Sequence, residues 1–270
     1  GRGHTHAALA RGRETFEARR EALGEDDRDT LACAVALAEV LTLAGRTDEA
    51  MPLLVDAQAR AEAALGADAH EAAAAANALA ALHARTGDRA KAEPLVRKTF
   101  EAQRSQRGPY HPATLDEQAR LVAILGELSR YDEAEPLARE CLAKRVEKQG
   151  ADHPRALDAS EELARVLRKM GRKDEALALF QDALAARRRR FGRFTRTAVA
   201  SAKELGMLHY RAKRFADAAP LLNDGYLAAP RGADHDQAAL TDAATTLVMA
   251  LRELGRDSEA DEIEKVVYAL

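Results

Sequence analysis

Tryptophan is absent from the 270 residues, aromatic side chains make up only 4% of them, and isoleucine occurs only at Ile124 and Ile263. A chain this short of bulky and β-branched side chains has little from which to build strands or one large core. Cysteine is confined to Cys33 and Cys141, far apart in the chain. That excludes a disulfide framework and reads as two small buried hydrophobes in a reducing, cytoplasmic compartment. No apolar run approaches the roughly 18 residues of a membrane-spanning helix, so no membrane insertion is expected. The start, Gly1-Arg2-Gly3-His4, has no apolar stretch behind it and is unlike a signal peptide. It also lacks methionine, which points to a segment of a longer protein. Neither charge sign dominates: 41 Lys and Arg face 44 Asp and Glu, a net charge of -3. A general nucleic-acid binder would carry a large basic excess, so no specific nucleic acid is expected as a partner. Enzyme signatures are missing too: no glycine-rich phosphate loop, His-Glu-x-x-His, Gly-x-Ser-x-Gly or CxxC. Neither catalysis nor a cofactor is expected.

What the chain does have is alanine, leucine, glutamate and arginine in quantity, a composition that favours helix throughout. It also has a period. The segments GRTDEA at 45, GDRAKA at 87, SRYDEA at 129, GRKDEA at 171, KRFADA at 213 and GRDSEA at 255 start 42 residues apart. Eight residues before each start stands a leucine: Leu37, Leu79, Leu121, Leu163, Leu205 and Leu247. Five residues after it stands an alanine: Ala50, Ala92, Ala134, Ala176, Ala218 and Ala260. A boundary glycine recurs at 24, 66, 108, 150 and 192 and slips to Gly232 in the last unit. Gly3 and Ala8 fit the same frame, so residues 1–23 are the second half of a unit whose first half is missing. The repeats run approximately 24–65, 66–107, 108–149, 150–191, 192–231 and 232–270, forming a single solenoid over 1–270.

Each unit reads as two helices. Positions 11, 8, 7 and 4 before the turn follow the i, i+3, i+4, i+7 rule of one buried stripe. They are Ala34, Leu37, Ala38 and Leu41 in the first unit, and Ser160, Leu163, Ala164 and Leu167 in the fourth. The second helix starts at the turn, where Asp48, Asp132, Asp174 and Asp257 suit its cap or its dipole. Pro52, Pro94, Pro136 and Pro220 are expected in its first turn, where a missing N–H costs little. The fold class is all-α, a stack of antiparallel helix pairs with 13 helices counting the orphan.

With segments such as GPYHPATL at 108, GADHPRAL at 150 and SRYDEAEPLAREC at 129, the unit resembles the 42-residue tetratricopeptide repeat of kinesin light chain type. It departs from that pattern four residues before the turn, where Leu41, His83, Leu125, Leu167, His209 and Leu251 replace the usual tyrosine. The resemblance implies a right-handed superhelix whose concave wall is made of the first helices. It further implies that an extended or helical peptide lies in that groove, and that the chain has no chemistry of its own.

The stripe opposite the core gives the groove-facing side chains. In the first two units these are Ala32, Ala36, Glu39, Leu43 and Ala74, Ala78, Ala81, Arg85, a mostly apolar wall flanked by Val35 and Asn77. Later units are more charged: Asp116, Arg120, Ala123 and Glu127; Asp158, Glu161, Glu162, Arg165, Arg168 and Lys169; Lys203, Glu204, Met207, Tyr210 and Arg211; Asp242, Thr246, Met249 and Arg252. On this reading Arg120, Arg165, Arg168, Lys169, Lys203 and Arg211 receive carboxylates of an acidic or amphipathic partner. Asn77 bonds its backbone, and Met207 and Tyr210 supply apolar contact. The competing reading makes Glu161 and Glu162 with Arg165 ordinary helix-surface pairs.

The run Arg187 to Arg190, with Arg193 and Arg196, reads as a basic helix end that complements the dipole and projects into water. His70, His111, His153 and His235 fall in the boundary loops, and His83 and His209 replace the core tyrosine. His4 and His6 alone do not make a metal site. The expected function is a protein- or peptide-binding scaffold from a larger signalling or regulatory protein, its Arg- and Ala-rich usage hinting at a bacterium. The alternatives are an end-to-end homodimer, or a regulatory region of an enzyme, such as a protein kinase or NTPase, whose catalytic domain lies elsewhere.

Overall fold

The computed structural model describes residues 2–66, 69–228 and 237–268, with the side chains at 2–6, 237–243 and 267–268 excepted. Gly232, His235, Asp242 and the pair His4 and His6 lie outside the described side chains. Among the described residues there are thirteen helices and no strand. They are α1 (Arg2–Leu23), α2 (Arg28–Leu43), α3 (Thr47–Leu65), α4 (His70–Thr86), α5 (Arg89–Arg107), α6 (Pro112–Glu127) and α7 (Tyr131–Gln149). There follow α8 (Pro154–Lys169), α9 (Lys173–Phe191), α10 (Arg196–Arg211), α11 (Phe215–Ala228), α12 (Gln237–Glu253) and α13 (Asp257–Tyr268). The chain packs as two compact units, Gly1–Leu137 and Ala138–Leu270.

In the first unit consecutive helices from α1 to α6 pack on one another, and α2 lies beside α4. Its core joins Leu31, Ala34, Leu37, Ala38 and Leu41 of α2 to Ala50, Leu54, Ala57 and Ala61 of α3 and Ala75, Leu79 and Leu82 of α4. In the second unit α8 packs on α9, α10 on α11 and α12 on α13. The expected stripe is the buried one: Ala34, Leu37, Ala38 and Leu41 are all at most 5% exposed. The six turn alanines, Ala50 to Ala260, are 0 or 1% exposed. No larger side chain would fit where the two helices of a pair touch. Gly206 marks another close approach, since a Cβ there would stand 2.9 Å from Leu222 Cγ.

The two glycine registers answer different needs. The residue opening each turn is left-handed, and Ser129 (φ 59°) and Lys213 (φ 58°) take that shape without being glycine. An L residue tolerates it at about 1 kcal/mol. The boundary glycines combine positive φ with extended ψ, as in Gly66 (98°, 153°), Gly108 (85°, 166°) and Gly192 (97°, 158°). That region is closed to side chains with a Cβ, which accounts for glycine at all five boundaries among the described residues.

Two sequence expectations need correction. The second helices begin just before the turn aspartates, at Thr47 and Lys173, or on the aspartate itself, at Asp257. Asp48 and Asp174 therefore lie inside the first turn, so of the two expected roles the dipole one stands and the cap does not. Pro52, Pro94, Pro136 and Pro220 lie inside their helices. From the helix starts each is about five residues in, in the second turn, so one carbonyl per helix loses its partner. Side-chain capping is found instead on first helices, from Asp27 on α2 and from boundary histidines on α6 and α8: Nδ1 of His111 accepts from the Ala113 amide and that of His153 from the Arg155 amide, both at 3.2 Å.

Between neighbouring second helices runs a recurring clamp. Glu49, Glu133 and Glu175 each accept from the arginine at the second position of their own turn (Arg46, Arg130, Arg172) and from one 36 residues earlier. The latter pairs are Arg13–Glu49 at 2.5 Å, Arg97–Glu133 at 2.9 Å and Arg139–Glu175 at 2.5 Å.

Candidate peptide-binding faces

In the first unit the expected wall is present on α2 and α4. Ala32, Ala36, Glu39 and Leu43 are exposed, Leu43 at 76%, while Val35 is buried. Ala81 and Arg85 are exposed, and Ala74 and Ala78 are half-buried. A surface of methyl groups lets another backbone approach closely, because no long side chain has to be ordered first.

Beside this wall α4 meets α6 through a polar contact, with Asn77 Nδ2 donating to Glu117 Oε1 at 3.3 Å. The other two acceptors, Asn77 Oδ1 and Glu117 Oε2, are buried and have no hydrogen-bond partner. Burial pushes the Glu117 carboxyl above its ordinary pKa, partly offset by Arg120 and by the Asn77 bond. Arg120 stands 3.5 Å from Glu117 and is about half exposed.

In the second unit the charged side chains are held more firmly. Arg165 of α8 donates from Nε and Nη2 to Glu204 of α10 at 2.8–3.2 Å, and from Nη1 to Glu162 at 2.7 Å. Burial alone would lower its pKa, but the bonds to Glu204 and Glu162 and their charges raise it instead. Of the expected ligands, then, Arg165 is already engaged within the fold. Lys169 and Arg211 are exposed, while Arg168, Lys203, Met207 and Tyr210 are half-buried. Met207 and Tyr210 pack against the core of α11 and α12, Tyr210 edge-on to Phe215 at 5.5 Å.

The arginine run projects into water only in part: Arg189, Arg190, Arg193 and Arg196 are exposed, but Arg188 is half-buried and Arg187 buried. Arg187 is 2% exposed, donates to Asp158 at 2.6 Å, and donates from Nε and Nη2 to Glu161 at 3.2 Å. Ser201 of α10 donates to the same Glu161 oxygen as Arg187 Nε, Oε1. Glu161 is therefore no surface partner of Arg165, from which it is 3.9 Å away, but the buried end of an α8–α9–α10 network. Asp224 on α11, wholly buried, accepts from Arg188 and from Arg193 at 2.6 Å. Arg190 reaches the Asp152 carbonyl at 3.0 Å. Sequence reading missed this network. One signal for it existed: Arg145 and Arg187 share a register 42 residues apart, and both are buried.

No helix of the described residues is long and apolar enough to cross a membrane, and among them no group of three or more side chains could hold a metal ion. Of the two core-register histidines, His83 is half-buried and His209 buried. Burial, then Arg214, lowers the His209 pKa, partly offset by Asp217, whose Oδ2 is 3.6 Å from Nδ1.

Comparison with known proteins agrees with this architecture. Residues 71–143 and 117–189 match a family model described as tetratricopeptide repeat, and residues 30–71 match a second model of that description. The fold is similar to a kinesin light chain-type protein of Podosopora anserina with nearly identical TPR-like repeats. That likeness has a TM-score of 0.63 at 23% identity, over 72% of this chain and 92% of that one. It is similar also to BtubC (BKLC) from P. vanneervenii, with a TM-score of 0.63 at 18% identity, over 88% and 90% of the two chains. A third likeness is to YrrB, described as a TPR protein with an unusual peptide-binding site, with a TM-score of 0.51 at 15% identity, over 88% and 96%. Among proteins of curated function, none matches the chain in sequence.

Proposed function

We propose that this chain, which belongs to the tetratricopeptide repeat family, is a non-catalytic scaffold that holds a protein or peptide segment against the exposed faces of its first helices. The observation that carries the reading is the α2–α4 wall with Leu43 at 76% exposure beside the unpartnered Asn77 Oδ1. A buried amide oxygen without a donor costs stability in the isolated chain. A partner's backbone N–H would remove that cost once the Asn77 amide turned outward, while its apolar side chains cover Leu43 and the alanines.

Along the second unit's faces, Arg168, Lys169, Lys203 and Arg211 would take acidic groups of the partner, with Met207 and Tyr210 as apolar neighbours. Arg120 would do the same in the first unit. Arg165 would contribute only by exchanging Glu204 for a partner carboxylate. A peptide-binding site is described for YrrB, which shares the fold, and scaffold roles of this kind suit a regulatory or signalling protein.

Pull-down from native lysate tests the reading, with the wild-type chain compared against Ala36→Glu, Ala81→Glu and Asn77→Ala at unchanged circular dichroism. Loss of the same retained protein from all three variants is expected. Equal recovery by wild type and variants rejects the assignment, and substrate turnover by the purified chain rejects the scaffold.

A further inference from the structure

The α8–α11 region contains a hollow of about 540 Å3 that the peptide reading does not explain. Arg168 closes it from the end of α8, Lys173, Asp174, Ala176 and Leu177 from the first turns of α9, Leu208, Arg211 and Ala212 from the end of α10, and Arg214 from the turn to α11. Four cations thus line one space against a single acid.

We propose that this hollow binds a phosphate monoester, its dianion held by Arg168, Lys173, Arg211 and Arg214 and its organic group resting on Leu177 and Leu208. The proposal rests in part on the peptide reading, since Arg168 and Arg211 belong to both.

Pairing makes the cluster unusual for this chain. The neighbouring Arg165, Arg172, Arg187, Arg188 and Arg193 are each held by a carboxylate. Among the described residues Arg168, Lys173, Arg211 and Arg214 make no such pair, and the Nε of Arg168 is buried without any acceptor. A buried N–H left unbonded is unfavourable, and like charges gathered around one space repel, so the fold carries both costs here. An anion removes them together. The first turn of α9 adds the positive end of a helix whose N-cap, Arg172, makes no side-chain cap bond. Charge decides the ligand class: four cations less Asp174 leave an excess that a dianion offsets better than one carboxylate. Size decides the rest, because the volume exceeds what a bare ion fills and the apolar wall offers it no polar partner.

Isothermal titration of the purified chain with phenyl phosphate tests this without any protein partner, so it survives or fails independently of the α2–α4 wall. A parallel titration with a short phosphoserine peptide distinguishes the source. Tighter binding of the peptide assigns a phosphorylated protein, tighter or equal binding of phenyl phosphate a small metabolite, and either supports the site. Arg168→Gln and, separately, the exposed Arg211→Gln should weaken binding about tenfold, the scale of one charge-assisted pair. Arg104→Gln on α5, outside the hollow, should leave it unchanged. Should Arg168→Gln fail to fold, Arg211→Gln and Arg214→Gln decide. The proposal is overturned by absence of saturable binding, by wild-type affinity in the hollow variants, by an equal loss in Arg104→Gln, or by phenyl sulfate binding as tightly as phenyl phosphate.

Discussion

Arg165 and Glu204, 39 positions apart in the chain, face each other as a fork, with Nε to Oε1 at 2.9 Å and Nη2 to Oε2 at 2.8 Å. The pair ties α8 to α10, consecutive first helices, on the face where a partner is proposed to lie. A two-point bond of this kind needs the planar guanidinium, which an ammonium cannot imitate.

Arg165→Lys should therefore lower stability by about 1 kcal/mol, a modest figure because the side chain keeps 39% exposure and solvent screens the pair. The urea-unfolding midpoint measures it. No change in the midpoint would mean the fork contributes nothing to the stacking of α8 on α10.

Arg187 behaves differently because it is buried. Replacing it by methionine strands Glu161, 6% exposed, without its main counter-charge. The expected loss is about 3–5 kcal/mol, the range for breaking a buried pair. Arg187→Met combined with Glu161→Leu should recover most of that loss, since an apolar replacement of the whole pair leaves no charge to desolvate. A double-mutant cycle in urea reads both effects.

Glu117 carries a pH signature of defined sign. Its folded pKa lies above the ordinary 4.5 because of burial. Ionising it costs folding energy, and that cost sets in as pH rises from the ordinary value through the folded one. Glu117→Gln removes the cost, and its new N–H can donate to the unpartnered Asn77 Oδ1. The variant should be more stable than wild type at pH 7 by about 1 kcal/mol. The charge-related part of that gain should vanish below pH 4.5. Thermal melts at about pH 4 and pH 7, on either side of the ordinary carboxyl range, make the comparison.

His209 carries the opposite signature. Burial lowers its pKa, so the folded chain holds it neutral and the unfolded chain takes up the proton first. Stability is complete above the ordinary value of 6.5 and is lost as pH falls from there through the lower folded value. The repeat supplies the control: four other units place leucine in this register, as Leu41, Leu125, Leu167 and Leu251. His209→Leu should flatten the fall in melting temperature between about pH 7.5 and pH 5.5, the window in which imidazole titrates. A fall as steep as the wild type's would assign the effect to another group.

The helical array, the helix pairs and the buried faces were legible in the residues alone, because each depends on local spacing. A 42-residue period repeats the same short-range choices: leucine and alanine at fixed offsets, a glycine wherever the backbone enters a region no Cβ tolerates. What the tertiary structure decided are contacts between residues far apart, to which periodicity is blind. Arg187 meets Glu161 across 26 positions and Arg165 meets Glu204 across 39. Sequence reading left the first arginine in water and the second ready for a ligand. An arginine has the same propensity wherever it stands on a helix, and only the neighbouring helices determine whether a carboxylate awaits it. For that reason the period could outline the faces on which a partner would rest, but only the packed helices separate the cations bound within the fold from those around the α8–α11 hollow.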